Sequence, residues 1–546
     1  MSALSARWPR FGVASLLATL AACSAGTDGT SPSPKGGGGS SGVGGSSGQD
    51  PSAVCGTSVV GAPRLRRLSR DELVNSLNDV FPEVKGTWTP VLSADPISSF
   101  GFDNDSGLLV VGKQAAAELD RTSDALGAAV TGPALANLLP CSAAAPDASC
   151  ATQFLQKYGK RLFRRSLSQE EEALYLALFQ QAVAAKDFAS GIRYVTRALV
   201  QSPHAVYRRE VGTASGNEYR LSQHEIATEL SYDFSGTAPS DELLAQADAG
   251  QLGTPAALVA AARSLLASDN GLRTVEKFFN AWLGYGRTSS VTKTSVPEFE
   301  GLRDQMVGET RRFIGEVVVG QNGGLLELLT APFSTPSLQL SAFYGFPAPA
   351  SDYSVVERPA GRGIGILAQG AMLSALSGPN ASSPTKRGLL VMERLLCRAK
   401  PSVPPDVPVL GEPRPGLLTT RQRYEESHAQ GHCKGCHDRF DPIGFGFEHY
   451  DEAGRYRELE GTLPIDSASH VPGDDAPLFQ FESLEELAQG LAKQKLPYEC
   501  TTGYLSTYTF GAAEACLGET QRGAFIDQQV GFVDYLASLA AEPHFT

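Results

Sequence analysis

Methionine is scarce in this 546-residue chain: there are four, and none follows Met392. Any metal or cofactor site in the C-terminal third therefore draws on other side chains. Basic residues are also short, with 46 Lys and Arg against 59 Asp and Glu and a formal net charge of −13. That balance excludes a nucleic-acid binder, because phosphate contacts need basic surface. Beyond the N-terminus no apolar run reaches the length of a membrane span. Only one CxxC occurs, at Cys433 and Cys436, so a zinc site built from two such pairs is excluded. Strand-like alternation is short and rare. What remains is ordinary for globular protein, 42% hydrophobic and 19% charged, and the length predicts roughly three or four domain-sized units.

The N-terminus carries a secretory pattern. Arg7 and Arg10 precede the apolar run FGVASLLATLAA, and Leu20-Ala21-Ala22-Cys23 follows. This resembles a bacterial lipobox, which predicts a signal peptide over 1–22 and lipidation of Cys23. Ser24, rather than Asp, follows Cys23 and in that resemblance favours the outer membrane. Residues 23–54, rich in Gly and Ser, read as a lipid-anchored flexible linker. The expected location is the outer membrane or periplasm, with membrane contact through the anchor. Nine cysteines are present. Setting aside Cys23 and the CxxC pair leaves six, an even number for an oxidising compartment. Local economy pairs Cys141 with Cys150 and Cys500 with Cys516, leaving Cys55 for Cys397.

One helix-start device recurs. Ser69 and Glu72, Ser168 and Glu171, Ser222 and Glu225, and Ser483 and Glu486 all have capping-box spacing. Apolar residues follow at helical intervals, such as Leu73, Leu77 and Val80, or Leu174 and Leu178. The fold class is therefore mainly α, a multidomain helical scaffold with its cofactor segment near the C-terminus. The expected units are 55–130, 138–212, 213–345, 361–461 and 462–546.

The stretch HCKGCHDRFDPIGFGFEHYDEAGRYR, residues 432–457, carries the chemistry. Cys433-Lys434-Gly435-Cys436-His437 has two thiols spaced to reach the two vinyl groups of a haem, with an imidazole on the same turn. This predicts one covalent haem c, attached at Cys433 and Cys436, with His437 as proximal iron ligand. A zinc site lacks its second ligand pair, and a structural disulfide leaves His437 without a purpose. The ligand on the far side of the iron stays open: Met372 and Met392 read as helix core, and His428, His449 and His470 are available. His432 abuts the attachment site. Asp441-Pro442-Ile443-Gly444 reads as a turn, with Gly444 and Gly446 allowing close approach to a flat ring. Phe445 and Phe447 are candidate pocket wall, and Arg455 and Arg457 are candidate partners of the propionates.

In order along the mature chain, several blocks resemble the large secreted multidomain cytochromes of the planctomycete type. Those proteins string domains of unknown function ahead of a C-terminal CxxCH. The blocks are RRLSRDELVNSLNDVF with FGFDN, CATQFLQKYGKRLFRRSLSQEE through SPHAVYRRE, and YRLSQHEIATELSYDFSGTAPSDELLAQADAGQL. They continue with SPTKRGLLVMERLLCRAKPSVPPDVP running into the CxxCH stretch, then GTLPID through YECTTGYLSTYTFGAAE. The resemblance implies haem attachment at Cys433 and Cys436, ligation by His437, and His428 as candidate distal ligand. It departs at Gly511-Ala512, where the family has Gly-Arg. The family names an architecture without an established reaction. Electron transfer to an unidentified redox partner protein is the leading expectation. Peroxidase- or oxygenase-like oxidation and a scaffold with a structural haem are the alternatives, and the catalytic residues are unknown.

Overall fold

The structure, a computed structural model, describes residues 64–141, 147–216, 218–402, 418–428, 431–511 and 519–542. The leader, the linker with Cys23, and Cys55 and Cys516 lie outside these residues.

Helices make up most of the regular structure, and their starts follow the sequence closely. At Ser69, Ser168 and Ser222 the hydroxyl accepts the N–H three residues on and the glutamate returns to the cap N–H. Ser483 differs: it accepts from Glu486 N, but the Glu486 carboxylate takes Glu482 N instead. Leu73, Leu77 and Val80 are buried as their spacing predicts. The stripe on the helix Gln169–Ala185 is rotated from expectation. Leu174 is 68% exposed and Phe179 is the buried residue. The cause is Gly191 in the next helix: its bare Cα leaves the space that the Phe179 ring fills.

Strands occur among the described residues only as five two-stranded antiparallel ribbons. The first pairs Arg64–Arg67 with Tyr207–Glu210, so the segments around 64–130 and 138–210 are closed into one ring of chain. They share a single core, in which Phe81 stacks on Tyr158 at 4.9 Å. A second, larger core runs from Ile226 to Ala540, so the later segments also pack as one. Phe102 joins the two halves: it leaves the first segment and sits in the second core against Phe278, Tyr504 and Tyr508.

Beside this junction lies a buried charge cluster. Arg208, 2% exposed, ion-pairs with Glu229 and with Asp233 at 2.6 Å, and Arg66 reaches Glu210 at 3.1 Å. Burial pushes Glu229 up to about 8 despite Arg208, whereas the neighbouring arginines outweigh burial at Glu210 and hold it at about 2.

Two disulfides are described. Cys141 is bonded to Cys150, as expected, with Cα atoms 5.5 Å apart. The other expected pairings do not hold: Cys500 is bonded to Cys397, 103 residues away, not to Cys516. Cys500 lies near the start of the helix Lys495–Phe510, and the rest of that helix carries the chain roughly 15 Å away from it. The end of the helix Pro384–Arg394, by contrast, lies alongside, with Tyr504 Oη 3.1 Å from the Arg394 guanidinium. No helix among the described residues is long and apolar enough to cross a membrane, and disulfides accord with an oxidising compartment.

Candidate functional site

Four short helices build the CxxCH region: Pro384–Arg394, Thr420–His428, Gly431–His437 and Asp441–Phe445. The first is capped by Ser383 and begins with Pro384, whose missing N–H costs nothing at that position. It crosses Asp441–Phe445 at backbone contact. A Cβ on Gly388 would stand 1.9 Å from the Phe440 carbonyl oxygen, and one on Gly444 would stand 2.0 Å from that of Pro384. Arg387, fully buried, fixes the crossing by donating to the carbonyl oxygens of Phe447, Tyr450 and Asp451 at 2.8–2.9 Å.

This crossing sets Thr385 over Asp441. The Thr385 hydroxyl donates to Asp441 Oδ1 at 2.7 Å. Asp441 Oδ2 accepts from His428 Nδ1 at 2.7 Å and from His437 Nδ1 at 2.9 Å. Burial works against the Asp441 charge, but these three hydrogen bonds outweigh it and hold the carboxyl below its ordinary range. A carboxylate only accepts, so each Nδ1 carries a proton, and in the neutral imidazole it is Nε2 that offers the lone pair. The two imidazoles lie face to face with centroids 3.5 Å apart, and the Phe440 ring meets His437 edge-on. His428, His437 and Asp441 form the one potential metal-binding cluster among the described residues.

Cys433 and Cys436 are unbonded thiols, half-buried on the same helix as His437. The donor set therefore fits a covalent haem: two reduced thiols, and an imidazole whose Nδ1 is held by a carboxylate and whose Nε2 is free. Such a carboxylate–histidine pair is the usual support of a metal-bound imidazole.

The other expected site residues have partners within the protein. Phe447 is part of the second core, and Phe445 is buried beneath the Arg421 guanidinium at 4.9 Å. Arg455 pairs with Asp451 at 2.7 Å, and Arg457 lies between Glu448 and Glu460 at 3.6 and 3.7 Å. Gly444 and Gly446 are not bare for a ring: Pro384 backbone faces the first and the Phe481 ring the second. His449 stacks on Tyr456 and bonds the Arg457 carbonyl, while Met372 and Met392 are core as read. Asp441 and Thr385 went unassigned in the sequence. The signal for Asp441 was its closeness in sequence to His437, four residues away across the turn that joins the two helices.

Three family models match the chain. PSD5, a protein of unknown function (DUF1595), covers residues 150–210. PSD4, a protein of unknown function (DUF1592), covers 221–346, and PSCyt3, a protein of unknown function (DUF1588), covers 362–460. No curated protein and no solved structure matches. Three segments of the chain thus carry domains typical of planctomycete-type multidomain cytochromes, and Cys433–His437 falls inside the last of them.

Proposed function

We propose that the chain is an exported, lipid-anchored c-type cytochrome whose single haem is held by Cys433, Cys436 and His437. The observation that carries this reading is the Asp441 hydrogen bond to His437 Nδ1, which leaves Nε2 for iron beside two free thiols. Haem bound there supplies a one-electron Fe(II)/Fe(III) couple, and electron transfer to a partner protein is the function we assign. The residues do the rest: Thr385 and Asp441 orient His437, and the glycine crossing keeps both in place. His428 is our candidate for a second iron ligand, a role that would require its ring to leave Asp441 and the stack with His437.

One observation favours an oxidoreductase as the second reading. A carboxylate on Nδ1 gives the proximal imidazole anionic character, which stabilises oxidised iron and suits peroxide or O2 chemistry. A pyridine haemochrome assay on protein matured with the haem-attachment machinery tests the main claim. One covalent haem, lost in Cys433→Ser/Cys436→Ser, is expected; absence of covalent haem overturns it. A low-spin spectrum in both redox states that does not respond to CO favours electron transfer, and a CO-binding high-spin iron favours the oxidoreductase. A spectrum unchanged in His428→Ala removes that residue as ligand.

A further inference from the structure

A cavity of about 270 Å³ lies between the segment matched over 150–210 and that matched over 221–346. It is close to the lower end of ligand pockets, about 300 Å³. None of the CxxCH residues lines it.

Its wall is cationic for a local reason. Arg164 closes the short helix Lys160–Phe163 at φ 58°, a left-handed conformation that a residue with a Cβ adopts at a cost. The guanidinium compensates by donating to the carbonyl oxygens of His204, Ala205 and Tyr207 and to the Tyr232 hydroxyl, at 2.5–3.2 Å. That turn delivers Arg165 to the rim, where it forks onto Glu171 at 2.8 Å. Arg209, from the strand Tyr207–Glu210, reaches the same cavity. Its side chain is exposed and makes no hydrogen bond or ion pair to the described residues.

The acceptors nearby are already engaged. Glu225, the one carboxylate in the wall, accepts the N–H groups of Val211, Gly212 and Ser222. An incoming group therefore meets donors: the open guanidinium of Arg209 and the hydroxyls of Thr213 and Ser222. His204 reports the same field, because burial first and then Arg165 and Arg209 hold its imidazole below the ordinary range, against the pull of Glu171. In a chain with a net charge of −13, three arginines converging on one concavity are conspicuous.

We propose that this cavity binds a small molecule bearing an oxyanion, a carboxylate, sulfate or phosphate group, and that Arg209 grips it. A guanidinium presents its donors in a planar fork that matches all three groups, and the Phe163 ring supplies an apolar wall for the rest of the ligand. The site stands apart from the haem reading and does not depend on it.

Isothermal titration calorimetry of the purified protein tests the proposal, with sodium sulfate, sodium phosphate and sodium glucuronate as probes. Chloride is used to hold ionic strength constant. Saturable one-to-one binding of at least one probe is expected, and the probe bound tells which oxyanion the site prefers. Arg209→Ala should weaken that binding about tenfold or more, and Arg209→Lys should weaken it less. Because Arg209 is exposed, both variants should keep the parent circular dichroism spectrum. No saturable binding at millimolar concentrations, or equal binding by Arg209→Ala, overturns the assignment.

Discussion

Asp441 receives three hydrogen bonds on a carboxylate that is 4% exposed, and two of them come from histidines. If its charge raises the basicity of His437, Asp441→Asn should raise the reduction potential of the haem-loaded protein while leaving covalent attachment intact. Spectroelectrochemical titration reads this directly, and an unchanged potential would disconnect Asp441 from the iron. Glu309 offers a second test at this scale. It is fully buried, accepts from the Ser334 and Tyr344 hydroxyls, and burial pushes it up from the ordinary range. The folded chain then keeps a proton that the unfolded chain releases above about pH 4.3. Stability should fall as pH rises from there through the folded value, and Glu309→Gln should flatten that fall in urea titrations at several pH values. The CxxCH residues stood out in the sequence as attachment candidates because thioether chemistry demands their spacing within one turn. Thr385 was not assigned, since a role that exists only across two crossing helices leaves no local pattern, and Asp441 was not because the turn before it breaks the helical register with His437.

The crossing itself belongs to the scale of elements. Helix starts could be read from Ser and Glu spacing because a capping box is closed within four residues. What each glycine faces could not, because that depends on a partner distant in sequence. Gly388 and Gly444 meet backbone atoms of the facing helix, whereas Gly435, between the two thiols, has nothing within 4 Å of where a Cβ would stand. Gly388→Ala should therefore cost about 3 kcal/mol or more by forcing the two helices apart. Gly435→Ala should cost little. Chemical denaturation of both variants checks the contrast, and equal stabilities would show that the crossing yields freely. The same reasoning applies to Phe179, whose ring turns inward onto the bare Gly191 of the next helix.

Across the whole molecule, the chain is tied at long range by contacts with no local signature. The ribbon Arg64–Arg67 with Tyr207–Glu210, the reach of Phe102 into the second core, and the Cys397–Cys500 bond are of this kind. Disulfide bonding of the four described cysteines outside the CxxC was expected, but their connectivity was legible only for the local pair, because spacing along the chain ignores which helices lie side by side. Loop length then ranks the two described bonds. Cys397–Cys500 closes a loop spanning 103 residues that contains the CxxCH, while Cys141–Cys150 closes one of nine. In the chain-entropy account their removal should cost about 5 and about 2.5 kcal/mol respectively. Denaturation of Cys397→Ala/Cys500→Ala and Cys141→Ala/Cys150→Ala should show that order. Peptide mapping of the oxidised protein gives the independent check: a Cys397–Cys500 linked peptide is expected. A Cys500–Cys516 link in its place would return the long loop to an open chain and remove the larger penalty.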